Sequence, residues 1–518
     1  MSLIRKFSTV GGATMVSRML GFVREAMIAA ALGAGPVADA FYAAFAFPNL
    51  FRRIFAEGAF NAAFIPLFAK KLESDDRSDA RQFANDVASI LIVILLLLSA
   101  LAMLFMPALV GTVVAPYFAD TPDKFDLTVL MTRIMFPYLA CMSLVAMLSG
   151  ILNSTRRYFV AAIVPVLLNV VLIAAIGIAL FVGAGDVEIG LWLAWGVFAA
   201  GFAQLVLLFF AASRVGFTLK PHLPRPTPEV KQLIILMGPA VLTGGVLQIN
   251  LMIGRIIASA QDGAITMLNL ADRINQLPLG VIGIAIGVVL LPELSRALKA
   301  EDTAEAVHLQ NRSLEFALAL TLPATIGFLV MPQPIVSILY ERGAFDAETA
   351  VLTAYALAAY AAGLPAYVMI KVFQPAFFAR EDMKSPFRFS VVMVVVNIVG
   401  SLLLFPSYGH VGIAAATAIS AWVNVGLLAW NLSRNGGFRP DKTVIKRVSS
   451  MIFASLVMGA GLLVALSLVA STFEAGGLLV RTLITLALIG CGAIVYFAIL
   501  IVSGGIEVSR LKRLLRRG

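Results

Sequence analysis

Apolar runs separated by short polar segments recur from one end of the chain to the other. Ser89 to Met106, Val160 to Val182 and Val480 to Val502 are each long enough to cross about 30 Å of hydrocarbon as a helix. Hydropathy predicts about 14 spans, near 8–31, 37–69, 84–115, 125–151, 159–182, 188–213 and 230–258 in the first half of the chain. The others lie near 264–295, 308–331, 347–378, 386–405, 410–433, 444–470 and 478–503. Spans 2 and 8 are amphipathic and carry internal Pro and Gly. The expected fold class is an all-α polytopic membrane protein.

Composition agrees. The 518 residues are 60% hydrophobic and 13% charged, too apolar for a soluble chain of this length. The first span follows Arg5 and Lys6 but holds Arg18, Arg24 and Glu25, so it does not read as a cleavable signal. Cys141 and Cys491 both fall in apolar helices, which argues against a disulfide framework. His222, His308 and His410 lie in or near loops and form no metal-ligand cluster; no metal or other cofactor is expected.

The net charge of +10 could suggest nucleic acid, but its distribution argues for topology instead. Alternate connections hold 28 of the 39 Lys and Arg, whereas the intervening set holds only Lys124, Arg342 and Arg481. By the positive-inside rule the basic set is cytoplasmic, with both termini inside. The basic surplus also suits contact with anionic lipid heads.

Two stretches of sequence resemble each other. One runs from Arg24 through Asp39 and Pro48 to Pro66, the other from Arg255 through Asp272 and Pro278 to Pro292. A second matched pair leads from Ser149 through Arg157 to Asn169, and from Gln374 through Arg388 to Asn397. These imply an N-terminal lobe over 1–213 (spans 1–6) and a C-terminal lobe over 214–433 (spans 7–12), in the same orientation, with a site between them. Residues 434–518 add spans 13 and 14 and a basic tail outside the repeat.

Eight cations fall inside the predicted spans: Arg18, Arg24, Arg52, Arg53, Arg133, Arg255, Arg273 and Lys371. An arginine at mid-bilayer costs roughly 2.5–3.5 kcal/mol on the mildest insertion scale. Several together imply a wet, cationic cavity and an anionic cargo, and planar guanidinium groups suit phosphate. Bland readings compete at some positions. Arg53 and Glu57 form an i,i+4 pair, Asp272 adjoins Arg273, and Arg133 and Lys371 lie near span ends where they could snorkel. Arg18, Arg24 and Arg52 have no local acid able to neutralise all three. Pro48 with Gly58 predicts a bend in span 2. No nucleophile–base set, acidic metal motif or phosphate loop emerges, which disfavours a membrane enzyme and favours a transporter. A cation antiporter would need a cavity dominated by acids.

Residues 17–24 (Ser-Arg-Met-Leu-Gly-Phe-Val-Arg), 38–41 (Ala-Asp-Ala-Phe) and above all 48–60, from Pro48-Asn49-Leu50-Phe51-Arg52-Arg53 to Phe60, resemble the MurJ (MviN) lipid II flippase family. That family lies in the multidrug/oligosaccharidyl-lipid/polysaccharide exporter superfamily. Met237-Gly238-Pro239-Ala240, Ala271-Asp272-Arg273 and Leu291-Pro292 extend the resemblance over essentially the whole chain. It implies 14 helices in two lobes around a central cationic cavity, in the bacterial inner membrane. The implied cargo is lipid II, the undecaprenyl-pyrophosphate-linked peptidoglycan precursor, and the last two helices would form a groove for its tail. Arg18, Arg24, Arg52 and Arg255, with Arg53, Asn49 and Ser17 beside them, form the expected headgroup site. Asp39, Glu57, Asp272 and Arg273 are expected to support or gate it, Asp39 and Asp272 by meeting cations such as Arg24 or Arg255. The chain is expected to act as a monomer among membrane lipids, without nucleic acid. One departure matters. Some members hold sodium with Asn and Asp one turn apart on span 11, but here Asn397 is followed at that spacing by Ser401. That argues against sodium coupling at this site and leaves the energy source open, with the membrane potential as one candidate. A flippase for another polyprenyl-linked glycan and a drug antiporter of the same superfamily are the alternatives.

Overall fold

The computed structural model describes residues 3–54, 60–73, 77–435 and 437–505. Every regular element among them is helical, apart from an isolated bridge between Arg342 and Phe345. The first half contains α1 (Leu3–Leu32), α2 (Pro36–Phe51), α3 (Phe60–Leu72), α4 (Arg77–Leu104), α5 (Met106–Leu109), α6 (Pro122–Met135), α7 (Tyr138–Ser154), α8 (Tyr158–Phe181), α9 (Asp186–Arg214) and α10 (Pro228–Ala258). Then follow α11 (Ala264–Lys299), α12 (Thr303–Val330), α13 (Pro332–Tyr340), α14 (Ala347–Ala361), α15 (Leu364–Phe378), α16 (Lys384–Tyr408), α17 (His410–Arg434), α18 (Lys442–Ala475) and α19 (Leu478–Val502).

Ten helical stretches among the described residues are long and apolar enough to cross a membrane. Helices α1, α10 and α11 are also long, at 30, 31 and 36 residues, but carry the polar and charged positions that lower their hydropathy. Large apolar side chains such as Leu97, Phe181, Leu403, Leu468 and Ile494 lie open on the helix surfaces. A bilayer solvates such a surface, because lipid tails are as apolar as leucine.

Several predicted spans are interrupted, and the interruptions have local causes. Span 4 is two helices, α6 and α7, parted at Phe136-Pro137; span 10 is likewise α14 and α15, parted at Ala362-Gly363 just before Pro365. Proline lacks an amide hydrogen and its ring collides with the preceding turn. The breaks fall at matching places in the two halves of the sequence repeat. Span 2 is α-helical to Phe51 and widens into a π turn over 52–54, and α3 covers Phe60–Leu72. Of the bend expected from Pro48 and Gly58, Pro48 lies inside α2, while Glu57 and Gly58 lie outside the described residues.

Contacts divide the chain into two compact units, 1–266 with 342–345, and 267–341 with 346–518. In the first, α1 packs on α8, α8 on α9, α7 on α9, α2 on α6 and α10 on α3. The short 342–345 turn docks beside the α1–α2 connection, with the amide of Ala344 donating to the carbonyl of Ala30 at 2.9 Å. Gly33 and Gly343 both take φ +60° here, and a Cβ on Gly343 would collide with that same carbonyl. In the second unit α16 packs on α17, and α12 on both α15 and α18. The α18–α19 hairpin is pinned to the rest of this unit by two ion pairs. Arg447, near the start of α18, meets Glu315 of α12 at 2.9 Å; Arg481, near the start of α19, meets Glu341 at 2.7 Å. Arg481 also donates to the carbonyls of Phe473 and Glu474, which fixes the hairpin turn.

Candidate functional site

In the first unit, Arg24 is the best-enclosed of the predicted arginines, 5% exposed on α1. Its Nη1 donates to Oδ1 of Asn169 on α8 at 2.9 Å, and its Nη2 pairs with the neighbouring Glu25. The second carboxylate oxygen of Glu25 accepts from the hydroxyl of Tyr42 on α2 at 2.6 Å. Arg24 thus has its own local acid, and Nε is left without a hydrogen-bond partner among the described residues. Ser17, two turns earlier on α1, accepts from Asn169 through its carbonyl at 2.9 Å. Arg18 is exposed on the same helix.

Arg52 follows the last turn of α2, and its Nε donates to Oδ1 of Asn49 at 2.7 Å. That bond explains why an asparagine sits three residues before the arginine: it aims the guanidinium without cancelling its charge. Arg53 is exposed in the π turn, and its expected partner Glu57 lies outside the described residues. Arg255, on α10, faces Ala43, Phe47 and Leu50 of α2 across a small, mostly apolar cavity. The first unit thus carries Arg24 on α1, Arg52 just past α2 and Arg255 on α10, each with its own partners or lining.

Asp39 departs from expectation. Its partners are not Arg24 or Arg255 but Lys124, at 3.0 Å from Oδ2, together with the α10–α11 turn. The amide of Gly263 donates to Oδ2 at 2.8 Å, and the amide and hydroxyl of Thr266 donate to Oδ1 at 3.0 and 2.7 Å. Its side chain is fully buried. Lys124, at the start of α6, also reaches the exposed Asp262 at 2.9 Å and lies 4.0 Å from the ring centroid of Phe118. A buried carboxylate with every oxygen occupied holds α2, α6 and the 259–266 turn in one arrangement.

In the second unit Asp272 accepts from Gln276 on the next turn of α11, and Arg273 beside it is exposed. Arg133 does not simply snorkel: its Nε donates to the carbonyl of Met103 at 3.1 Å. Asn397 and Ser401 are both buried, and Asn397 accepts from the hydroxyl of Thr417 at 3.2 Å. Of the histidines, His410 is enclosed at the start of α17 against the carbonyl of Leu352, and His222 pairs with Asp86 at 2.9 Å.

Three residues of these networks were not among the expected site residues: Tyr42, Asn169 and Lys124. Lys124 had a signal, being one of three cations in a set of connections otherwise stripped of them. Asn169 had one too, as a lone amide among Leu167, Leu168, Val170 and Val171 that recurs in the repeat as Asn397. Tyr42 had none.

The family profile described as "Lipid II flippase MurJ" matches residues 28–484. The chain belongs to the lipid II flippase MurJ family. It is 50% identical to a "Probable lipid II flippase MurJ" of Rhizobium meliloti (strain 1021), over 100% of this chain and 97% of that protein. The solved structure titled "Lipid II flippase MurJ, inward closed conformation" shares the fold, with TM-score 0.76 at 24% identity over 95% of this chain and 99% of that one. An inward-facing multidrug resistance transporter of the MATE family and MOP superfamily shares it at TM-score 0.67 and 14% identity, over 80% of this chain and 94% of that one. This MurJ family member is accordingly a multi-pass helical membrane protein with a transporter fold.

Proposed function

We propose that the protein is a lipid II flippase, moving the undecaprenyl-pyrophosphate-linked precursor from the inner to the outer leaflet of the bacterial cytoplasmic membrane. The observation that carries this reading is full-length membership of a family whose named members are lipid II flippases. Chemistry supports it. Arg24, Arg52 and Arg255 lie within predicted spans, where charge is costly, and a pyrophosphate accepts bidentate bonds from a guanidinium. Arg18 and Ser17 complete the headgroup site on α1, with Asn49 and Arg53 on and just past α2. Asp39 acts as a support of the outward side, through Lys124.

Transport proceeds by alternating access between two lobes of six spans, 1–213 and 214–433, while α18 and α19 hold the lipid tail. The protein acts as a monomer, with both termini cytoplasmic. Asn397 and Ser401 bring no acid with which to hold sodium. The membrane potential supplies about 2.3 kcal/mol per charge per 100 mV.

The test is depletion of the protein in its host, followed by an assay of which lipid-linked precursor stays in the inner leaflet. Trapping of lipid II there is the expected result. Normal exposure of lipid II with retention of a different polyprenyl-linked glycan would overturn the cargo assignment.

A further inference from the structure

One side chain outside the arginine set touches two members of the proposed headgroup site at once. Asn169, 6% exposed on α8, accepts from Nη1 of Arg24 through Oδ1 at 2.9 Å. Its Nδ2 faces the same helix and donates to the carbonyl of Ser17 at 2.9 Å, with the Ser17 hydroxyl at 3.4 Å and the carbonyl of Pro165 at 3.2 Å. Gly21 leaves room for the approach: a Cβ built there would already touch the amide at 3.6 Å.

The chemistry of the amide is specific. A guanidinium that is to receive a phosphate must be oriented beforehand, yet every carboxylate that orients it also cancels its charge. Glu25 already supplies one negative charge to Arg24, and Tyr42 steadies that carboxylate. A second acid at position 169 would leave the cluster net anionic and repel a pyrophosphate. An apolar residue would leave Nη1 enclosed without an acceptor, which is costly for a charged donor. Only a neutral group with both an acceptor and a donor can hold Arg24 and Ser17 together, and a primary amide is such a group.

We infer that Asn169 is a positioning residue for lipid II binding. It keeps Arg24 held by a neutral acceptor, so that Glu25 can yield its place to a phosphate oxygen without releasing the guanidinium. This rests on the reading of Arg24 as a headgroup ligand.

The test is equilibrium binding of lipid II to the purified full-length protein in lipid nanodiscs, with the melting midpoint recorded for each variant. Asn169→Ala should weaken binding by about tenfold, the scale of one hydrogen bond to a charged group. Asn169→Asp should weaken it further. Glu25→Gln added to Asn169→Asp should recover much of that second loss, because it only moves the single carboxylate from one side of Arg24 to the other. A packing role for Asn169 predicts no such recovery. If Asn169→Asp does not fold, Asn169→Ser, which is neutral but too short to bridge both partners, should bind more weakly at an unchanged midpoint. Arg24→Ala separates the two levels of the argument. Weak binding by Arg24→Ala with wild-type binding by the Asn169 variants would overturn this inference alone. Wild-type binding by Arg24→Ala would overturn the headgroup assignment and this inference with it.

Discussion

The ammonium of Lys124 lies 3.0 Å from a carboxylate oxygen of Asp39, and both side chains are enclosed, at 3% and 0% exposure. The pair joins the first turn of α2 to the first turn of α6, and through Gly263 and Thr266 it also seats the α10–α11 turn. Buried pairs of this kind contribute little against a well-packed apolar substitute, but removing one partner strands the other charge.

Lys124→Met should therefore destabilise the protein by about 3–5 kcal/mol. The double variant Lys124→Met with Asp39→Asn should be less destabilised than Lys124→Met alone, since no buried charge remains unpaired. Thermal melting of the purified variants in detergent measures both. Equal melting of the single variant and wild type would show that the ion pair does not secure this turn.

The arginine set makes a different demand, on function rather than stability. Loss of charge at Arg18, Arg24, Arg52 or Arg255 should abolish or strongly impair support of growth while leaving membrane insertion intact. Lysine at these positions should rescue only in part, because an ammonium lacks the planar fork. Arg133→Ala and Lys371→Ala should be milder. Complementation of a depletion strain, with membrane levels checked by immunoblot, reads this out. Full activity of Arg24→Ala combined with Arg52→Ala would defeat the site.

Orientation follows from the alternation of basic connections. Single cysteines introduced into a cysteine-free background at 70–82, 214–229 or 434–443 should be protected from an impermeant thiol reagent applied outside. Those at 116–124 and 332–346 should be labelled. Reversal at any one of these positions would break the assignment of spans.

The two ion pairs that pin α18 and α19 are far apart in the hairpin, so their contributions should add. Glu315→Gln removes the carboxylate shared by Arg447 and Arg312 and should lower the melting midpoint more than Glu341→Gln, whose partner Arg481 keeps two backbone carbonyls. Melting curves of the two single variants and the double give the comparison. A double variant no worse than Glu315→Gln would mean that Glu341 does not hold the hairpin.

The sequence by itself determined the helical membrane character and carried the repeat, whereas the breaks within spans 4 and 10 came only with the structure. In lipid every backbone group must bond within its own helix, so spans must be long apolar runs, which a hydropathy pattern reveals. The arginines were legible for the same reason, as charge where charge is costly. Their partners were not. Arg24 meets Asn169 across 145 residues, and Lys124 meets Asp39 across 85. Such pairings depend on which helix faces pack together, and hydropathy averages that information away. Only the tertiary structure therefore decided that Asp39 answers to Lys124 rather than to an arginine, and that an amide on α8 holds Arg24.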